Sequence, residues 1–368
     1  MTGGSLREAL RWKSVLVGCG AAHGTVALQL GSAGKAHPHV LITAGIHGDE
    51  GPWGALAIAM LLESVPSRDL LGSVTVVPAC NPLAMEADAR CAPLDSLDLN
   101  RVFPGDPGGS HTQRLAGALV EHAVAGADVV VDLHGGGSWC VNAFAFSFPG
   151  CEDLAEAVGA PFLVTRESSR SVSHPSRHLG SRSRAGSAGS AGGAGAGRAG
   201  MPLSDYALSR GARVVAIEIG GRCPAENEWA SRVAAGMRRV MQVAGVVARV
   251  DDDRPAMAPA SAAPTASIHL GHSEVLRPSR GGVFLPEMRH EQAGRLVPAG
   301  TVLGRMVDPI TLDTFQTFVA PFQPTALMLL RPAMAVLEAG AMTYVVGRVR
   351  EESSPSPGTP STPLPAGP

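Results

Sequence analysis

The sequence has 368 residues, of which 45% are hydrophobic and 17% charged, and its formal net charge is −2. This length and apolar content are enough for one large domain, or for a large domain plus a small one, each with its own core. A near-neutral charge with few basic residues excludes a nucleic-acid interface as the main role, which leaves a small molecule as the expected partner.

Cysteine usage and hydropathy bear on the cellular compartment. We expect no secretory leader. The cysteines form no CxxC pair and are scattered at Cys19, Cys80, Cys91, Cys140, Cys151 and Cys223. This usage is typical of a reduced, cytoplasmic protein. No apolar run reaches the roughly 18 residues that a membrane helix needs, so we expect no membrane partner. Composition leaves open whether the protein forms a homo-oligomer.

Residues 1–250 alternate short β-branched runs with helical segments, which predicts an α/β domain whose sheet packs between helices. Five strands are predicted: HVLITAGI from His39, VTVVP near Val74, VVVDL near Val129, AFAFSF near Ala143 and RVVAIEI near Arg213. The apolar segment GPWGALAIAMLLES, which follows the first of these strands, predicts a helix.

Composition divides the rest of the chain into segments. Residues 168–200 are rich in Ser, Gly and Arg and nearly free of large apolar side chains, which predicts a flexible insertion rather than a binding loop. The low-complexity composition of residues 251–267 predicts a linker. Residues 268–349 are strand-like with frequent turn signals, which predicts a small C-terminal β domain. The proline-rich residues 350–368 predict a disordered tail.

The first candidate site residues follow the strand HVLIT. His47 and Glu50 stand three apart where a strand is followed by a helix, and ligands bind at the carboxyl ends of strands in such sheets. The H-x-x-E pattern by itself also fits an exposed turn, whose Asp49 and Glu50 favour the start of the next helix. Further residues are needed to decide between these interpretations.

The stretch from Arg90 to Arg101 adds polar groups in a turn-rich context. Asn100 and Arg101 could bind a carboxylate, because a guanidinium matches it in bidentate geometry and an amide adds a further donor. Solvation at the surface is the alternative for Arg101. Arg90 could stabilise an oxyanion, although by itself it does not differ from an ordinary surface arginine.

His134 ends a second apolar strand, in VVVDLHGGG. A catalytic zinc ion uses three protein ligands, often two histidines and one glutamate, and leaves a fourth position for water. His47, Glu50 and His134 supply that set. Their combination, rather than any one of them, predicts a metal site.

Glu218 interrupts the buried strand RVVAIEI, where an unpaired carboxylate is costly. A neighbouring metal-bound water offers it a partner, and there it could act as general base and then as general acid. A buried salt bridge to an arginine is the alternative. The glycines that follow Glu218 favour the first interpretation, because they leave room for a substrate.

Five motifs, HGDE, NPLA, DLNRVFPG, DLHGG and IEIGG, stand in this order along the chain. In order and spacing they resemble the succinylglutamate desuccinylase/aspartoacylase family, a branch of the zinc carboxypeptidase A-like hydrolases. The resemblance covers most of the chain and implies a mixed central sheet flanked by helices, with a small C-terminal all-β domain. It also implies one Zn²⁺ ion per chain and hydrolysis of a carbon–nitrogen bond other than a peptide bond, in an N-acylated amino acid or small amine.

The resemblance also implies roles for the candidate residues. His47, Glu50 and His134 match the zinc ligands of the family, and Glu218 matches its general base. Asp98, the first residue of DLNR, is similar to the acid that orients the first zinc histidine.

Three more residues match the substrate-binding positions of the family. Asn100 and Arg101 match the pair that binds the substrate carboxylate, and Arg90 matches the arginine that polarises the scissile carbonyl. Two other functions stay open: a metallocarboxypeptidase that removes the C-terminal residue of a peptide, and a non-catalytic binding protein with the same fold. The insertion at residues 168–200 lies between the strands of His134 and Glu218, so the size of the substrate stays open as well.

Overall fold

A computed structural model describes residues 4–20, 24–166, 200–249 and 266–350. The predicted insertion, linker and tail lie almost entirely outside these residues. The described part contains seven α-helices, α1 to α7, which span Leu6–Ala9, Gly51–Ser64, Pro82–Glu86, His111–Leu119, Glu152–Val158, Leu203–Ser209 and Glu226–Val243. None of the helices in these ranges is both long and apolar enough to cross a membrane.

The same residues contain sixteen strands in two sheets. Strands β1 to β16 span Arg11–Gly20, Gly24–Gly34, His39–Thr43, Ser73–Val77, Val129–His134, Val141–Ser147, Phe162–Thr165, Arg213–Gly220, Ile268–Leu276, Gly282–Pro286, Leu296–Val297, Val302–Val307, Thr314–Val319, Thr325–Leu330, Ala335–Leu337 and Tyr344–Val349. Twelve form one sheet in the order β1-β2-β4-β3-β5-β8-β6-β7-β9-β16-β14-β11, and the other four form a second sheet in the order β13-β12-β10-β15.

The centre of the large sheet is parallel. β4, β3, β5 and β8 run in one direction, and β6 runs antiparallel to β8. Every residue of β4 and β5 is buried, a pattern that is typical of parallel strands covered on both faces. The sheet is therefore mixed, and the chain has the mixed α/β fold that we expected.

The predicted elements of this region are present. All five predicted strands form, and the helix predicted from GPWGALAIAMLLES is α2. β3 ends at Thr43, earlier than the end of the predicted strand HVLITAGI. Gly45 has a φ of +69°, a left-handed conformation that glycine adopts without strain and that ends the extended chain. The residues that follow, which include His47 and Glu50, therefore leave the sheet at its carboxyl edge.

The C-terminal segment joins the large sheet. β9, β16 and β14 form a closed ring with β6 and β7, because β14 pairs with β6 as well as with β16. All five strands contribute to one apolar cluster, which includes Phe144, Phe162, Leu270, Met328 and Val345. The described residues beyond 266 form strands and no α-helix, as the turn-rich pattern predicted. The predicted domain boundaries stay a prediction.

Candidate active site

The predicted metal ligands and the predicted base meet at the carboxyl edge of the parallel strands. His47 follows β3, His134 is the last residue of β5, and Glu218 lies in β8. β5 and β8 pair in register with His134 beside Glu218. Because the carboxyl ends of parallel strands share one edge of the sheet, residues that are distant in the chain become neighbours there.

His47, Glu50 and His134 form a compact cluster, whose candidate ligand atoms all lie within 4.8 Å of one another. The Glu50 carboxylate lies between the two rings, with Oε1 2.9 Å from His47 Nδ1 and Oε2 3.0 Å from His134 Nδ1. All three side chains are buried. Burial alone would raise the pKa of Glu50, but the charges and hydrogen bonds of the two histidines hold it below its usual value.

A further carboxylate holds each histidine from its outer side. His47 Nε2 lies 3.2 Å from Asp98 Oδ1, and His134 Nε2 lies 3.1 Å from Asp132 Oδ2. Thr43 Oγ1 donates a 2.7 Å hydrogen bond to the other oxygen of Asp132. A carboxylate on the outer nitrogen fixes the orientation and the tautomer of the ring, which leaves Nδ1 as the ligand atom.

This hydrogen bonding fits the cluster to a cation. When the Nε2–H group of each ring donates outward, both Nδ1 lone pairs face the Glu50 carboxylate, so that acceptors face acceptors. Burial alone would lower the pKa values of His47 and His134, yet the surrounding carboxylates raise both. The surrounding carboxylates therefore favour positive charge at the centre of the site. Two imidazoles and one carboxylate could supply that charge by holding a metal ion.

Asp132 was not predicted as a site residue, although the sequence contains a signal for it. It is fully buried and stands two residues before His134 in β5. Side chains two apart on a strand share one face, so the order D-L-H places both groups on the same side of the sheet. A buried carboxylate needs a partner, and the nearest candidate in the sequence was His134.

Asn142, near the start of β6, is a second site residue that was not predicted, and it contacts Glu218. Asn142 is buried and donates a 2.9 Å hydrogen bond from Nδ2 to Glu218 Oε2. Among the described residues no arginine forms an ion pair with Glu218, so the salt-bridge alternative is not what the structure shows. Burial raises the pKa of Glu218 to about 7, so this carboxyl group exchanges protons near neutral pH.

Arg90 lies beside the cluster and pairs with Asp98. Its Nη2 and Nε atoms lie 2.9 Å and 3.2 Å from Asp98 Oδ2, and its Nη1 atom lies 3.7 Å from Glu50 Oε1. Burial alone would raise the pKa of Asp98, but the bond to His47 and the charge of Arg90 hold it well below its usual range. Asp98 thus stays ionised between a guanidinium and an imidazole.

Asn100 and Arg101 lie in the 3₁₀ turn Leu99–Arg101, next to His134. Asn100 Oδ1 accepts a 2.8 Å hydrogen bond from the backbone N–H of Leu203, and its Nδ2 atom lies 3.4 Å from His134 Nε2. Arg101 is exposed and donates a 2.7 Å hydrogen bond from Nη1 to the carbonyl oxygen of Asn100. The structure therefore fixes the Asn100 amide beside the cluster and leaves Arg101 accessible from solvent.

Comparison with known proteins places this site in a family. Residues 36–244 match the succinylglutamate desuccinylase/aspartoacylase catalytic domain. The chain belongs to the succinylglutamate desuccinylase/aspartoacylase family. The matched range contains every predicted site residue, from His47 to Glu218, so the candidate site lies within the catalytic domain of the family.

Individual relatives of this family share either sequence or fold with the chain. A 137-residue stretch is 43% identical to the N-alpha-acetyl-L-2,4-diaminobutyric acid deacetylase of Halomonas elongata and covers 34% of this chain and 40% of that relative. The chain thus matches less than half of the length of that deacetylase.

Two of the similar solved structures illustrate a match over nearly the whole chain. Succinylglutamate desuccinylase/aspartoacylase from Rhodobacter sphaeroides has a TM-score of 0.72 at 23% identity, with 93% of this chain and 96% of that chain covered. The product-bound ectoine utilization protein EutE (DoeB) from Ruegeria pomeroyi has a TM-score of 0.69 at 22% identity, with 92% and 95% covered. At these identities the similarity is one of fold, and it agrees with the mixed α/β fold described above.

In this member of the family we expect Asp132→Asn to weaken metal binding, because a neutral amide holds His134 less firmly than a carboxylate does. Loss of such an outer partner typically weakens metal affinity by roughly 10–100-fold. Competition with a chromophoric chelator measures the dissociation constant.

Asp128→Asn is the matched control for this variant. Asp128 precedes β5 at the opposite end from His134 and accepts hydrogen bonds from His37 and the backbone of His39. We expect it to leave the metal dissociation constant unchanged. The same constant in Asp132→Asn and in the parent protein would show that Asp132 does not position His134.

Proposed function

We propose that the protein is a zinc-dependent hydrolase that cleaves the amide bond of an N-acylated amino acid or small amine. The meeting of His47, Glu50, His134 and Glu218 at one edge of the sheet, in a chain of this family, carries the proposal. The name of the Halomonas elongata relative, a deacetylase, supports the same reaction type. The proposal includes a zinc carboxypeptidase-like fold, one Zn²⁺ ion per chain, a small-molecule substrate and a cytoplasmic location.

The zinc ion would be held by His47 Nδ1, the Glu50 carboxylate and His134 Nδ1. Zinc bound there would lower the pKa of a water molecule and polarise a carbonyl group. Asp98 and Asp132 keep the two rings in the orientation that presents Nδ1 to the centre of the site.

Glu218 moves the proton in this reaction. Its Oε2 atom accepts a hydrogen bond from Asn142, which holds the carboxylate in place to take the proton from the attacking water. The same carboxyl group then donates the proton to the leaving nitrogen of the amide. Burial raises the pKa of Glu218 above its usual value and so brings it closer to the working pH, where a carboxyl group both accepts and releases a proton readily.

Arg90 and the turn Leu99–Arg101 bind the substrate. Arg90, held by Asp98, donates to the acyl carbonyl oxygen as negative charge develops there, and one preorganised donor of this kind contributes about 3 kcal/mol. Asn100 and Arg101 bind the carboxylate of the amino acid, which holds the scissile amide in place next to Glu218.

Arg101→Lys is expected to raise KM by roughly tenfold with little change in kcat, because a point charge does not reproduce the bidentate guanidinium contact. Steady-state kinetics with an N-acyl amino acid measure both constants. Arg210→Lys, which makes the same change at an exposed position after α6, should leave KM unchanged. If the KM of Arg101→Lys equals that of the parent protein, the carboxylate binds elsewhere.

A substrate panel tests the proposed function. Amine release is measured for N-acetyl, N-succinyl and N-formyl amino acids, for acylated diamines and for short peptides, with zinc-loaded protein in the presence and absence of a chelator. Chelator-sensitive release from acylated amino acids or amines is the expected result. Cleavage of peptides alone would make the protein a metallocarboxypeptidase instead, and zinc-loaded protein inactive on every compound would contradict the proposal.

A further inference from the structure

A further arginine, Arg331, lies at the edge of the sheet that holds the candidate site, and it has no role in the mechanism above. Arg331 follows the last residue of β14, and β14 pairs with β6 so that Leu330 lies beside Val141. Cys140, which precedes Val141, is therefore next to Arg331 across the strands. β5, β8, β6 and β14 are successive neighbours here, so Arg331 shares an edge with His134.

Arg331 forms no ion pair with a carboxylate of the described residues. Its guanidinium stacks on Trp139, in the loop after β5, with Cζ 4.2 Å from the ring centroid. Its Nη2 atom donates a long, 3.4 Å hydrogen bond to the carbonyl oxygen of Met342, and its Nε atom is buried without a partner. Burial lowers the pKa of Arg331. A partly buried cation with unused donors is costly unless an anion binds to it.

Arg331 lies within reach of a substrate bound at the cluster. Three strand spacings separate β14 from β5, roughly 14 Å at ~4.8 Å each. An extended acyl amino acid spans about two peptide units, or roughly 7 Å, and the long arginine side chain covers part of the remaining distance. Arg331 and the catalytic carboxylates also have a common neighbour, the Cys140 thiol. Burial raises the pKa of this thiol, and the charges of Glu50, Arg331 and Glu218 all act on it.

We propose that Arg331, held on Trp139, binds a second carboxylate of the substrate and so selects N-acyl amino acids that carry one. The inference rests on the proposed function, because it assumes an acylated amino acid whose first carboxylate binds at Asn100 and Arg101. The second carboxylate lies either at the end of the acyl chain, as in a succinyl group, or on the side chain of the amino acid. A cationic side chain is repelled from the same position.

Equilibrium binding tests this inference without turnover, in zinc-loaded Glu218→Gln protein. Calorimetry compares N-succinyl with N-butyryl alanine, and N-acetyl aspartate with N-acetyl 2-aminobutyrate, so that each pair differs by one carboxylate. We expect the dicarboxylate of one pair to bind about tenfold more tightly, and the added substitution Arg331→Gln to remove that preference. The pair that shows the preference identifies the end of the substrate that Arg331 binds.

Two further variants separate recognition from a structural role. Arg348→Gln is the matched control, because Arg348 stacks on Phe322 with Cζ 4.8 Å from the ring centroid and pairs with Thr325, at the other end of β14 from Leu330. It should keep the full preference. Arg331→Lys retains the charge and should keep part of the preference. Loss of zinc or an altered far-ultraviolet circular dichroism spectrum in both Arg331→Gln and Arg331→Lys would assign Arg331 a structural role and overturn the inference.

The remaining outcomes distinguish this inference from the proposed function. Binding of all four compounds without a preference in either pair, or a preference that survives Arg331→Gln, would overturn the inference alone. A zinc-loaded protein that binds none of the four compounds would contradict the proposed function and the inference together.

Discussion

Glu218→Gln is expected to lower kcat by roughly 10²–10⁴-fold while zinc stays bound. Glutamine has nearly the same size, and its side-chain oxygen can still accept the hydrogen bond from Asn142, so the site keeps its shape. It cannot take a proton from water or give one to a leaving nitrogen. Steady-state kinetics with an N-acyl amino acid measure the loss of turnover, and elemental analysis measures the zinc content.

The matched control for this variant is Glu226→Gln. It removes the same charge from an exposed residue at the start of α7, a few residues beyond β8, and it should keep full activity. Near-normal turnover in Glu218→Gln would show that another group acts as the base. Loss of zinc from Glu218→Gln would instead assign Glu218 to the metal site.

The pH profile of the parent protein also tests whether Glu218 is the general base. A protonated Glu218 cannot accept a proton, so kcat/KM should fall as the pH drops through the pKa of this group. The pKa is about 7 without a metal ion, and a bound zinc ion lowers it, so the acidic limb is expected at or below pH 7. This limb should be absent from the residual activity of Glu218→Gln.

His134→Ala is expected to abolish stable zinc binding and with it all chelator-sensitive turnover. It removes one of the three candidate ligands and also leaves Asp132 buried without its imidazole partner. The loss of affinity should exceed the roughly 10–100-fold that follows from loss of an outer partner alone. Zinc content after dialysis against buffer, together with the far-ultraviolet circular dichroism spectrum, separates metal loss from unfolding.

His111→Ala is the matched control for metal binding. His111 is also a buried histidine, but it lies at the start of α4, where its Nδ1 atom is 3.4 Å from the carbonyl oxygen of Gly18. This variant should keep a full complement of zinc. Full zinc occupancy in folded His134→Ala would remove His134 from the ligand set.

Most of the central elements could be predicted from local sequence because burial imposes a local pattern. The strands β3, β4, β5, β6 and β8 are mostly apolar, as expected of strands covered on both faces. The hairpin of β1 and β2 and the short strand β7 were not predicted. β1 leaves much of its length exposed, including Trp12 and Leu16, and β7 has only four residues, so neither produces a clear pattern.

The sequence by itself determined which residue types stand at the ends of the central strands. His47, Glu50 and His134 could be proposed together because zinc restricts the types and number of its ligands, and because parallel strands bring their carboxyl ends to one edge. The structure brings the candidate ligand atoms of these three side chains to within 4.8 Å of one another.

Tertiary structure alone decided that Asn142 and Arg331 lie at this edge of the sheet. The contact of Asn142 with Glu218 depends on the pairing of β6 with β8, and the placement of Arg331 depends on the pairing of β14 with β6. A shift of one residue in either pairing would turn these side chains to the opposite face of the sheet. Because the packing of the whole sheet sets that register, no local pattern in the sequence specifies these contacts.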